Sequence, residues 1–478
     1  MATPIPKNHC EFTLAEVADA CGGSIHGDPN LRIRGISIDT RTIAAGEMFV
    51  ALRGAAIDGH RYLAQAAERG AAAAIVEPGK RHATLPCIEV ADPLIALGDL
   101  ARRHLERRRA AHRIPVAAIG GAAGKTTTKE LTALAARALF GETLSTPGNL
   151  NNRIGVPMTI FTLTERHRAA VLECGTNMRG EIAHLAKIVE PDAAMVLNVD
   201  LEHTEGLGTL DDVADEECTL FSTARRFAIA PAGDPLIIPR IPARLEQITF
   251  GKTSDATVRL ADRIVGANGR AKIRIDLSHE IGDGARKVES EINLLGEAAA
   301  LNCTAAIAMV AAMRGGRLSA SDLRALGNAL ETAVAVPGRL AATTIGGAIV
   351  IDDTYNSNPR SIRAALDAAR EVAAPTNARL VIAMGDMLEL GAISPDAHRA
   401  AVRDVLAAKP ATFVAVGAEM AAAIASLVGS DLPGNIVAAV DSAQAGPIVA
   451  RTLQPGDIVL VKGSRGIAME KIIGALRK

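Results

Sequence analysis

Tryptophan is absent from this 478-residue chain, and only 2% of its residues are aromatic. That scarcity excludes stacking of nucleic-acid bases on aromatic platforms as a main function. An excess of either charge is lacking too. The chain has 52 Lys and Arg against 53 Asp and Glu, a formal net charge of −1, so no global field draws it to nucleic acid or an anionic membrane. The six cysteines, Cys10, Cys21, Cys87, Cys174, Cys218 and Cys303, are scattered and form no C-x-x-C pair, which reads as free thiols in a reducing compartment. The stretch MATPIPKNHCEF holds no apolar h-region, and no apolar run reaches membrane-spanning length. The expectation is a cytoplasmic protein with no nucleic-acid partner and no membrane insertion. Hydrophobic residues make up 49% of the chain, and Ala, Leu, Ile and Val must fill its cores. A chain this long suggests roughly two to four domains.

Three patterns follow one another. Over 12–80, short β-like runs mix with helices: LRIRGISID (31–39) alternates as a strand does, and MFVAL (48–52) and AAAAIVE (71–77) read as buried strands. ARRHLERRRAAHR (101–113) reads as a solvated basic helix before a linker rather than as a nucleic-acid patch. From Pro115, apolar strands PVAAIG, AAVLECG and AAMVLNV alternate with helical stretches, the pattern of a parallel sheet. RLADRIVG, AKIRIDLS and VESEINLL then alternate like antiparallel strands, and ALNCTAAIAMVAAM (300–313) reads as a buried helix. Beyond Pro337-Gly338-Arg339, GAIVIDD, RLVIAMGD, TFVAVG and DIVLVKGS are the strands of a second doubly wound unit. The expected fold class is α/β with three domains: 1–113, 114–333 and 334–478.

GGAAGKTTTKE follows the strand PVAAIG and opens a helix over 125–139. This context suits a phosphate loop, with backbone N–H groups and the helix dipole facing an anion. Gly121 and Gly124 let the backbone approach phosphates, Lys125 reaches the β/γ oxygens, and Thr126 offers its hydroxyl to Mg²⁺. Ile119 stands where the longer form of the motif has its first glycine. Glu173 ends one apolar strand and His203 follows the next, at the sheet edge where ligands of open α/β sheets collect. Such residues fit a kinase, a motor, a switch or a ligase equally well.

Longer motifs carry a resemblance over nearly the whole chain. FTLAEVADACGG, GISIDTRTIAAGEMFVALRG, TPGNLNNRIGVP, LECGTNMRGEI, NVDLEHTEGLG, IDDTYNSNPRSIRAAL, MGDMLELG and VKGSRGIAMEKI resemble, in order, the Mur ligase family. Within it they resemble the branch that joins D-alanyl-D-alanine to UDP-N-acetylmuramoyl-tripeptide. The resemblance implies a UDP-substrate domain, a central ATPase domain and a Rossmann-like C-terminal domain. It implies ATP and Mg²⁺, the UDP-MurNAc-tripeptide and D-Ala-D-Ala as partners, and a monomer. The peptide carboxylate would take the γ-phosphate of ATP, and the dipeptide amine would then displace that phosphate. By the same resemblance Thr126, Glu173 and His203 would hold metal. Lys125, Thr127, Asn302, Arg339, Asp353 and Tyr355 would meet the nucleotide. Asn149, Asn151, Asn152, Asn356, Asn358 and Pro359 would shape the substrate side, and Ser37, Asp39, Thr40 and Arg41 would sit near the UDP group.

Three departures fall at the ATP centre. Gly120 stands where the family usually has Thr, although the absent glycine at 119 is no defect, because the family uses a shorter loop. Glu217 replaces a lysine that many members carbamylate, and it would supply a carboxylate directly on a shorter arm. Ala298 and Ala299 replace a His-Asn pair on the adenine side, while Asn302 remains. These departures leave two alternatives open: a Mur-type ligase with another acceptor, or a homologue that binds the UDP substrate without ligation.

Overall fold

The computed structural model describes residues 3–54, 57–200, 204–266, 269–284, 286–428 and 434–477. The apolar runs become strands of three sheets. In the first, Ile36–Ser37, Met48–Val50, Ala73–Val76 and Cys87–Glu89 are parallel, and Ser24–His26 closes the edge antiparallel. The single strand expected over 31–39 is two. It breaks at Gly35, whose φ of 105° only glycine adopts readily. Arg32–Arg34 therefore leaves the sheet to pair with Glu11–Thr13.

Among the described residues the central sheet has nine strands. Seven of them, from Val258–Val265 through Glu246–Gly251, Phe227–Pro231, Ala193–Val196, Val116–Gly120 and Ala169–Glu173 to Thr143–Ser145, run parallel. Val258–Val265 also opens an antiparallel meander with Ala271–Leu277 and Lys287–Ile292, as their alternation predicts. The last sheet orders Ala341–Ile345, Ala348–Asp353, Ile458–Lys462, Leu380–Gly385, Thr412–Val416 and Ile436–Ala439. All are parallel except the first, which forms a hairpin through Gly346 and Gly347, both at positive φ.

Two expectations need correction. The basic stretch is the C-terminal half of a 20-residue helix, Pro93–His112, capped by Asp92. It is not a solvated spacer: Leu97, Leu100, Ala101, His104 and Leu105 form a buried stripe at helical spacing. That stripe joins one apolar core running from Phe12 through the N-terminal unit to the central sheet. Arg102, Arg103, Arg107 and Arg108 occupy the remaining faces, which is why composition alone suggested solvent, while Arg109 is buried in the stripe and pairs with Asp192 at 2.7 Å. Second, one apolar stretch does reach membrane-spanning length, the helix Gly296–Met313, whose part over 300–313 is the buried helix its sequence predicts. It is a core helix, 78% buried, covering one face of the central sheet. The C-terminal unit packs on its start: a Cβ at Gly296 would lie 3.0 Å from the Ala368 methyl, and Arg263 pairs with Glu371 at 2.6 Å.

Candidate functional site

The strand Val116–Gly120 is fully buried and runs into the helix Lys125–Phe140. The turn between them needs two glycines. Gly121 has φ 113° and Gly124 φ 87°. A Cβ at Gly121 would also lie 2.8 Å from the Leu197 amide, so no side chain fits. Neighbouring strand ends fix the loop. Asn198 accepts the Ala122 amide on its carbonyl at 2.9 Å and the Ala123 amide on its side chain at 2.8 Å. Its Nδ2 donates back to the Ala123 carbonyl at 2.8 Å. The Gly121 amide donates to Glu217 Oε2 at 2.7 Å. With those three amides engaged, an incoming anion faces the first turn of the helix, whose N–H groups have no partner within the helix. Lys125 Nζ curls onto the Gly121 and Ala122 carbonyls.

Glu173 ends its strand beside this turn and is 1% exposed. Its Oε1 accepts the Thr126 hydroxyl at 3.0 Å and Asn151 Nδ2 at 2.9 Å. Among the described residues its buried Oε2 has no hydrogen-bond partner. Such an orphaned oxygen is costly unless something else meets it. Oxygen donors of this kind, few and hard, suit Mg²⁺, which keeps waters and substrate phosphates as its other ligands. Among the described residues no group of three or more His, Cys, Asp or Glu gathers to hold a metal alone. His203 lies outside the described residues.

The loop 146–157 reaches the same carboxylate. Besides Asn151, the Thr146 hydroxyl accepts the Glu173 amide at 2.9 Å. Asn152 caps the helix Gly155–Ile160 through its Oδ1, which accepts the Gly155 amide at 2.8 Å, and Asn149 is exposed. Thr127 lies half-buried in the first helical turn. Asn302 sits against the loop, its Oδ1 3.0 Å from where a Gly124 Cβ would stand. Sequence reading missed Asn198, Thr146 and Lys129. Lys129 is wholly buried and donates to the Thr146 carbonyl at 2.7 Å while pairing with Glu130. The clue to Asn198 was its place just past the strand Ala193–Val196. The acidic run DDVADEE is also only partly solvated: Glu216 and Glu217 are buried, and Glu216 accepts the Gly180 and Ile182 amides at 2.8 Å.

On the C-terminal sheet, Asp353 ends the strand Ala348–Asp353 and Lys462 ends its neighbour. Lys462 Nζ donates to Asp353 Oδ2 at 2.6 Å and to the Asn356 carbonyl at 2.9 Å. Asp353 Oδ1 accepts the Leu340 amide at 3.2 Å. Arg339 lies over the Tyr355 ring, 4.2 Å from its centre. Asn358 and Pro359 start the helix Pro359–Ala373, Asn358 accepting the Ser361 amide at 2.8 Å. A small polar cavity opens between Asn356, Ser357, Leu388, Glu389, Ser464 and Arg465, and among the described residues the buried Ser357 hydroxyl has no hydrogen-bond partner. In the N-terminal unit, Arg41 pairs with Asp39 at 2.7 Å and, through that hydrogen bond, holds its carboxyl below the usual range. Thr40 donates to Gln65 at 2.6 Å, and Ser37 bonds to the Asp39 backbone.

A phosphate loop with a buried, half-satisfied carboxylate, between an N-terminal α/β unit and a Rossmann-like C-terminal unit, defines a three-domain nucleotide-dependent ligase class. Family models agree: the Mur ligase family catalytic domain matches residues 32–105, the Mur ligase middle domain 119–310, and the Mur ligase glutamate ligase domain 338–465. The chain is 32% identical to the UDP-N-acetylmuramoyl-tripeptide–D-alanyl-D-alanine ligase of Escherichia coli, over 98% of both chains. It is 30% identical to the ligase of that name from Haemophilus influenzae, again over 98% of both. The crystal structure of MurF from Acinetobacter baumannii superposes with a TM-score of 0.87 at 30% identity, covering 98% of this chain and 99% of that one. MurF from Thermotoga maritima in complex with ADP shares the fold, at TM-score 0.78 and 23% identity over 92% of this chain and 96% of that one. The chain belongs to the Mur ligase family.

Proposed function

We propose that this protein joins D-alanyl-D-alanine to UDP-N-acetylmuramoyl-tripeptide at the expense of ATP, releasing ADP and phosphate, as a monomer in the cytoplasm. Support comes from full-length likeness to relatives of that name. The single structural observation that carries it is the orphaned Glu173 Oε2 beside the Thr126 hydroxyl, at the mouth of the loop.

An unactivated carboxylate resists amines, so the reaction needs a leaving group. The tripeptide carboxylate attacks the γ-phosphorus of ATP and ADP departs. The dipeptide amine adds to the resulting acyl phosphate, loses a proton, and expels inorganic phosphate as the amide forms. Lys125 swings from the loop carbonyls to the phosphoryl oxygens, whose charge it stabilises. Thr126 and Glu173, with His203, would hold Mg²⁺, which when bound would offset charge on the phosphates. Asn151 keeps the Glu173 carboxylate in register. Asn149 and Asn152 border the substrate side, and Asn302 and Thr127 flank the nucleotide.

Arg339, Asp353 and Tyr355 meet the nucleotide from the C-terminal unit. Asn356, Asn358 and Pro359, with the cavity beside them, shape the dipeptide side. Ser37, Asp39, Thr40 and Arg41 receive the UDP group. Incubating the protein with Mg-ATP, UDP-MurNAc-tripeptide and D-Ala-D-Ala is expected to release one phosphate per product, identified by mass. No release with any nucleotide would leave a binding homologue. Release only with another amine would redirect the ligase.

A further inference from the structure

Glu217 closes the helix Leu210–Cys218 with its side chain turned inward, 1% exposed. Its Oε2 accepts the Gly121 amide at 2.7 Å. A Cβ built on Gly120 would lie 2.9 Å from that same oxygen and 3.2 Å from Leu220 Cδ2. Gly120 is not in the left-handed region, so its backbone would tolerate any residue. Space, not conformation, demands glycine there. The bond Glu217 makes is also placed to matter: Gly121 must hold φ 113°, and the Glu217 oxygen that accepts its N–H fixes the turn at that point.

We infer that Gly120 and Glu217 form a matched pair, in which the missing side chain at 120 seats a carboxylate that fixes the phosphate loop. Glu217 is thereby a positioning residue for the nucleotide: it acts through the Gly121 amide, and Gly120 is the vacancy that admits it. The two departures at the ATP centre are one change rather than two. Either residue alone is a defect: a side chain at 120 displaces the carboxylate, and a truncated 217 leaves the Gly121 amide without its acceptor.

This rests on the loop being the ATP site, and a double-mutant cycle tests it. Wild type, Gly120→Ala, Glu217→Ala and the double variant are compared for ADP binding by calorimetry and for thermal unfolding. Gly120→Ala is expected to weaken ADP binding about tenfold in the wild-type background, where it overpacks, and less than about twofold in Glu217→Ala. Glu217→Gln, which keeps an acceptor oxygen for Gly121, is expected to stay within about threefold of wild type, while Glu217→Ala loses about tenfold. A merely structural Glu217 would lower the melting temperature of the variants without separating Gln from Ala in ADP affinity. Equal Gly120→Ala penalties in both backgrounds, or a harmless Gly120→Ala, would overturn the pairing. If wild type bound no ADP, the nucleotide reading would fall. The pair would still be judged by melting, where the double variant should unfold no lower than Glu217→Ala alone.

Discussion

Two buried carboxylates at strand ends, Glu173 in the central sheet and Asp353 in the C-terminal sheet, meet opposite fates. Asp353 is answered from within the protein: the ammonium of Lys462 takes one oxygen and the Leu340 amide the other. Among the described residues Glu173 receives only neutral donors, on one oxygen, and the other has no hydrogen-bond partner. Burying an unpaired charge is expensive, and a paired one holds its surroundings together only while both partners stay. The contrast separates a carboxylate left open for a visiting cation from one that the protein's own ammonium already holds in place beside the proposed nucleotide site. In the C-terminal unit the free chemistry lies instead on Arg339, Tyr355 and the cavity beside Ser357.

The sharpest break of the contrast comes from the loop itself. Lys125→Ala should cut phosphate release about 10³-fold with little change in melting. A parallel loss of stability would mean that the lysine serves the loop and not the phosphates. Lys462→Met should lower the free energy of unfolding by about 3 kcal/mol in urea titrations, because Asp353 is left buried and unpaired. Glu173→Gln should do the converse: turnover drops about 10²-fold while the melting temperature holds or rises. If Glu173→Gln destabilised the fold as Lys462→Met does, the two carboxylates would be alike and the proposed metal seat would lose its basis.

A smaller effect sets the background for these stability measurements. Burial pushes the His104 imidazole down to about 4, between Phe12 and Phe161, where its Nε2 bonds the Leu163 carbonyl at 2.9 Å. An unfolded chain takes up that proton near pH 6.5 and the folded one does not. Stability is therefore lost as the pH falls below 6.5 toward 4, by about 2 kcal/mol between pH 7 and 5. His104→Gln should flatten that acid slope.

Much of this architecture was legible. Each apolar run read as a parallel strand contains one, because a parallel strand buried on both faces must be apolar throughout. The phosphate loop was legible for a related reason: a turn between strand and helix at positive φ leaves glycines in fixed places. Ile436–Ala439 and Ala341–Ile345 escaped notice, the first too short to stand out and the second an edge strand with alternating exposure. The basic helix misled because composition counts charges without saying which face bears them.

The order of chemical groups along the chain was thus set by local rules: glycine where backbone turns tightly, apolar residues where sheets are covered, a carboxylate where a strand ends. What each carboxylate faces was not. Glu173, Glu217 and Asp353 read alike as acids near apolar segments. Only the packed structure put an amide against Glu217, an ammonium against Asp353 and, among the described residues, no hydrogen-bond partner against Glu173 Oε2. Their partners come from distant parts of the chain, and a side chain's electrostatic role depends on neighbours that folding alone assembles.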